Sequence, residues 1–118
     1  MKIEIPITIT KEDRFNKILG VLSCGHPFNK LRKREKEVLA EMYRINLENI
    51  DLPIETRNKI LFNKDTRKAI SLKLDMSIDA FNNITMSLRK KGILEGDGFI
   101  KKYTLGKIDE INFKFIEE

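Results

Sequence analysis

The chain has 118 residues, 35% of them charged and 41% hydrophobic, with 23 Lys and Arg against 18 Asp and Glu and a net charge of +5. That size supports one domain around one core, and the ordered recurrence of Ile, Leu, Phe, Val and Met excludes global disorder. The single Cys excludes an intramolecular disulfide and fits a reducing compartment, and no apolar run is long enough to span a bilayer.

Residues 2–10 alternate strictly, with Ile3, Ile5, Ile7 and Ile9 on one face. This predicts a strand, and Pro6 on the other face argues for an edge position. The same segment lacks the form of a signal peptide. Thr10 followed by Asp13 resembles a helix cap, after which Phe15, Ile18, Leu19 and Leu22 form a helical stripe. Residues 23–27 read as a loop. A second helix is predicted over residues 32–46, burying Val38, Leu39, Met42 and Ile45 and leaving Glu35, Glu37 and Glu41 on a solvated face. Pro53 opens a third helical segment that reaches Phe62.

Residues 66–92, TRKAISLKLDMSIDAFNNITMSLRKKG, carry the strongest pattern. Ile70 and Leu74 stand four apart, on one face of a short helix. Asp75-Met76-Ser77 supplies a turn, with Ser77 placed to cap the next helix. In that helix, residues 78–91, Ile78, Phe81, Ile84, Thr85 and Leu88 share a face and Gly92 stops it. Asp79, Asn83, Met86, Ser87 and Lys90 lie opposite, with Asn82 and Arg89 on the flanks. Beyond Gly92, Ile93-Leu94-Glu95 and residues 99–105 read as two short strands joined by the hairpin composition Gly96-Asp97-Gly98.

These residues resemble the helix-turn-helix proteins, and specifically the winged-helix branch. Ser71 occupies the small position of the first helix, Met76 the apolar position of the turn, and Phe81 and Ile84 the anchors of the second helix. Asp75 replaces the usual glycine, and Asp tolerates the left-handed conformation better than most residues. The LRKKGIL run is similar to the entry into a wing. The resemblance implies an α+β fold: a winged helix-turn-helix with an added N-terminal strand and helix and a small antiparallel sheet. A single domain over residues 1–118 follows, with a strand–helix extension at 1–30 and a winged-helix core at 31–105. Residues 106–118 supply a C-terminal strand, whose Ile111, Phe113 and Phe115 alternate and suit pairing with the first strand.

Charge is unevenly spread. Residues 28–36 hold Lys30, Arg32, Lys33, Arg34 and Lys36 against Glu35, a local +4. Residues 64–73 hold Lys64, Arg67, Lys68 and Lys73 against Asp65, and residues 37–57 are acidic. Positive charge thus gathers around the proposed motif, the footprint expected of a nucleic-acid binder. The resemblance implies that the helix over residues 78–91 enters the major groove of double-stranded DNA. Asn82 and Asn83 suit adenine, Met86 a thymine methyl, and Arg89 a guanine or a phosphate. Asp79 suits cytosine or the helix dipole, and Ser77 stands at the same helix start. Arg67, Lys68, Lys73 and Lys90 suit phosphate, as do Lys101 and Lys102 on the returning strand, where Asp97 at the hairpin tip opposes them.

Catalysis finds no support in the sequence. Cys24 and His26 are the only residues of their types, so Cys and His alone assemble no zinc site. As a nucleophile and base they lack an orienting third group and an oxyanion site. Cys24 is read as a small apolar filler and His26 as a loop residue. The expectation is a non-enzymatic protein without cofactor, a transcriptional regulator or phage accessory factor, acting as a homodimer or within a larger assembly and not at a membrane. Its expected location is the cytoplasm, or the host cytoplasm or virion for a phage or mobile-element protein. The alternative is a virion or packaging component that uses the same helices to bind protein.

Overall fold

The computed structural model describes Thr10 and residues 14–100. Over that span the chain forms α1 (Arg14–Leu22), a 3-10 turn at Phe28–Lys30, α2 (Lys33–Glu48), α3 (Ile54–Leu61), α4 (Lys64–Lys73) and α5 (Ile78–Lys90).

The apolar stripe of α1 buries Phe15, Ile18 and Leu19. Helix α2 is the scaffold, in contact with α1, α3 and α5. Its start is fixed by the Glu35 carboxylate, which accepts the Arg32 N–H at 2.8 Å and so satisfies a donor next to the helix entry. Val38, Leu39, Met42 and Tyr43 are wholly enclosed, each at 0% exposure. Side chains of this size, moved from water to such a site, contribute about 1.5–3 kcal/mol apiece. Tyr43 also stacks on Phe99 with ring centroids 4.4 Å apart, which seats the far end of the described chain on α2. Helix α3 begins after Pro53, and α4 begins at Asn63, whose side chain accepts the Thr66 N–H at 2.7 Å.

The expectation of an α+β fold with an antiparallel sheet is corrected: the described residues form helices, with one isolated antiparallel bridge between Leu94 and Phe99 and no strand. The reason lies at the end of α5. Gly92, at φ 82°, closes that helix in a Schellman motif, in which the Ile93 N–H bonds the Leu88 carbonyl at 3.0 Å and the Gly92 N–H bonds Arg89 at 3.1 Å. The Leu94 N–H also turns back to Leu88. Ile93 and Leu94 are therefore buried at 0% and 2% exposure as the plug beneath the helix end. Their apolar character, read as a strand, belongs to that plug. The hairpin survives as a tight turn, with Glu95 N–H to Gly98 O at 2.9 Å and Ile100 N–H to Ile93 O at 3.0 Å. Of the strands expected over residues 2–10, 99–105 and 106–118, all but Thr10, Phe99 and Ile100 lie outside the described residues.

Three smaller readings change as well. Glu35 and Glu41 are buried, at 4% and 8% exposure, where a solvated face was expected. Cys24 is exposed and fills no gap in the core. Ile78, expected on one face of α5 with Phe81 and Leu88, remains 38% exposed while those two are buried.

Candidate nucleic-acid interface

Helices α4 and α5 pack together, joined by the connection Leu74-Asp75-Met76-Ser77. Its conformation follows from one residue. Asp75 takes φ 53°, in the left-handed region, and α4 ends there in a second Schellman motif. The Met76 N–H bonds the Ser71 carbonyl at 2.9 Å and the Asp75 N–H bonds Leu72 at 3.2 Å. Ser77 then caps α5 by accepting the Ala80 N–H at 3.0 Å. A short side chain at Ser71, 3% exposed, leaves room for the close passage of the two helices, and its hydroxyl is satisfied by the Arg67 carbonyl at 2.7 Å. Phe81, Thr85 and Leu88 face inward.

Outward, α5 presents Asp79, Asn83, Met86 and Lys90, all exposed. Steps of four, three and four residues set them in a line along the helix. Thirteen residues make a rod about 20 Å long. Met86 is 52% exposed, so the line is polar with one apolar contact in its middle. Asn82 is half-buried on the flank, and Ser77 is exposed at the helix start.

The other sequence candidates are placed differently. Arg89 is drawn back onto the protein: its Nε donates to the Gly96 carbonyl at 2.8 Å, its Nη2 lies 3.4 Å from the Asp97 carboxylate, and its guanidinium sits 5.7 Å from the centre of the Phe62 ring. Lys73 pairs with Glu41 at 2.8 Å. Lys68 is exposed on α4, whereas Arg67 is half-buried with its Nε enclosed and without an acceptor. Lys101 and Lys102 lie outside the described residues.

A link to α2 that local spacing does not reveal holds the end of α5. Glu35 of α2 accepts from Ser87 Oγ and from Lys91 Nζ, both at 2.5 Å, while Lys91 also donates to the Lys30 carbonyl at 3.1 Å. Burial works against ionisation of Glu35, but the Lys91 ammonium, the Ser87 hydroxyl and the Arg32 N–H outweigh it and hold the carboxyl below its ordinary value. Ser87, placed with the outward residues by spacing, is in fact the α5 end of this link. Arg34, one residue before Glu35, reaches the Asp75 carbonyl at 3.4 Å and bonds Glu37 at 2.8 Å. The start of α2 therefore touches both the α4–α5 turn and the far end of α5.

The chain matches no protein-family model, and no curated protein or solved structure matches it. Among the described residues, no helix is long and apolar enough to cross a membrane.

Proposed function

We propose that this chain is a non-enzymatic DNA-binding protein that lays α5 in the major groove of a duplex. The observation that carries the reading is the exposed line Asp79–Asn83–Met86–Lys90 on the second helix of a tightly turned pair. Asn83 would pair with adenine, Met86 would meet a thymine methyl, and Lys90 would meet phosphate. A major groove about 12 Å wide admits a helix of this kind. Arg89 does not join them, because its Nε and Nη2 are engaged by the 96–97 turn.

The test is fluorescence anisotropy on short AT-rich duplexes over a salt series. The native chain should bind, and binding should weaken steeply with salt. Asn83→Ala should cost about tenfold on the preferred sequence, while Lys90→Ala should weaken all sequences alike and lower the salt slope by about 1. Absence of binding at low salt sinks the proposal.

A second reading is a component of a protein assembly. It is favoured by Leu72, which stands 84% exposed on α4, and by Leu52 and Ile54 at the α2–α3 corner, at 39% and 44%. Sedimentation would separate the two, since an assembly component self-associates or requires a protein partner while a DNA reader of this size runs as a monomer or dimer.

A further inference from the structure

We infer that an open groove beside the α4–α5 turn is a second contact for duplex DNA, one that holds the phosphate backbone while α5 reads the bases. The inference rests on the reading of α5 given above and adds to it the basic run at the start of α2. The groove measures about 650 Å³ and is lined by Asn16 and Gly20 of α1, Lys33 and Lys36 of α2, and Lys73 and Leu74 at the end of α4.

Three observations favour a phosphate backbone as the occupant. The first is the state of the charges. Glu37 and Glu41 also line the groove, but Glu37 is paired with Arg34 at 2.8 Å, and Glu41 with Lys73 at 2.8 Å and Arg44 at 2.9 Å. Among the described residues, Lys33 and Lys36 form no ion pair, so their charge is uncompensated. Free ammonium groups of this kind gain affinity by releasing the counterions condensed on DNA, which paired ones do not.

The second is position. The Arg34 guanidinium touches the Asp75 carbonyl, and Leu74 forms part of the groove wall. Ser77, which opens α5, is two residues beyond Asp75 and therefore within about 7 Å of it. Each strand of a duplex carries one negative charge per about 3.4 Å of axis, so a backbone beside the start of α5 brings more than one phosphate to the groove mouth.

The third is shape. Gly20 in the lining has open space where a side chain would stand, and Asn16 one turn before it adds an amide donor. The groove also opens at the first turn of α2, where the helix dipole adds to the positive field.

The experiment is the same salt series, run on the full chain with Lys33→Gln/Lys36→Gln, with Lys33→Gln alone, and with Lys59→Gln as a control. Lys59 is exposed on α3 and does not line the groove. The double variant should lower the salt slope by about 2 and the single one by about 1, with the preference for one sequence over another unchanged. Lys59→Gln should leave the slope where it was. Circular dichroism melts should not fall for any of them, since neither Lys33 nor Lys36 holds an ion pair among the described residues and the start of α2 disfavours their charge. Binding by the native chain with an unchanged slope in the double variant overturns the groove contact and leaves α5 standing. A slope lowered equally by Lys59→Gln also overturns it, as a net-charge effect. Failure of the native chain to bind overturns both proposals together.

Discussion

Glu35 of α2 accepts a hydrogen bond from Ser87 of α5 across 52 residues of sequence, at 2.5 Å. The same carboxylate receives Lys91, so one buried acid ties the start of the scaffold helix to the end of the helix proposed to read DNA. An acid at 4% exposure persists there because its partners supply more than burial takes away.

Glu35→Gln should therefore cost about 2 kcal/mol near neutral pH, since Ser87 and Lys91 lose their charged partner. Because the folded carboxyl is held below its ordinary value, its contribution is complete above the unfolded pKa and is lost as pH falls through the folded one. The urea midpoints of native and Glu35→Gln protein should thus stay a constant distance apart above about pH 5 and draw together as pH falls below the ordinary glutamate range. A separation that grows on acidification would show that the carboxyl is neutral in the fold.

Asp75 makes a prediction of opposite sign. At φ 53° it carries a side chain where glycine is free of strain. Asp75→Gly should raise stability by about 0.5 kcal/mol, the relief of strain being partly offset by a looser unfolded chain. Asp75→Val should lower it by about 2 kcal/mol, because a β-branched residue resists that conformation. Equal effects of the two in urea titrations would mean that the turn is not held in the left-handed region.

Gly98 is confined by a neighbour. A Cβ added there would stand 2.7 Å from Asn58 Nδ2 and 3.0 Å from its Cγ, so Asn58 must yield. Gly98→Ala should cost about 1 kcal/mol. The cost should vanish in an Asn58→Ala background, where the obstacle and the buried, unbonded Oδ1 of Asn58 are both gone. Additive losses in that double-mutant cycle would place the constraint in the backbone of the turn.

What was legible in the sequence is what local spacing determines. Phe15, Ile18 and Leu19, then Val38, Leu39 and Met42, then Phe81 and Leu88, lie inside as their helical spacing implies. The Asp75 turn and the Ser77 cap follow from chemistry confined to a few neighbouring residues. What was not legible depends on distant partners. Glu35 looks like one more surface acid until Ser87 and Lys91 are brought to it. Ile93 and Leu94 carry apolar character that suits a strand equally well, and only the closure of α5 commits their N–H groups elsewhere. Asn63 is a different case, since a cap three residues ahead of Thr66 stood in plain sight.

Adjacent basic residues on α5 should separate cleanly by assay. Arg89 holds the Gly96 carbonyl and the Phe62 ring, so Arg89→Ala removes a charge-assisted hydrogen bond and a cation–π contact. The expected loss is about 1–2 kcal/mol of stability, with the Asp97 pair adding little because that carboxylate is 72% exposed. Lys90 is exposed and forms no ion pair among the described residues, so Lys90→Ala should leave the melt unchanged and act on DNA affinity alone. Thermal melts paired with anisotropy decide between them. If Arg89→Ala left the melt intact and abolished binding, Arg89 would be a DNA contact that swings off the 96–97 turn, and the reading face of α5 would have to be redrawn around it.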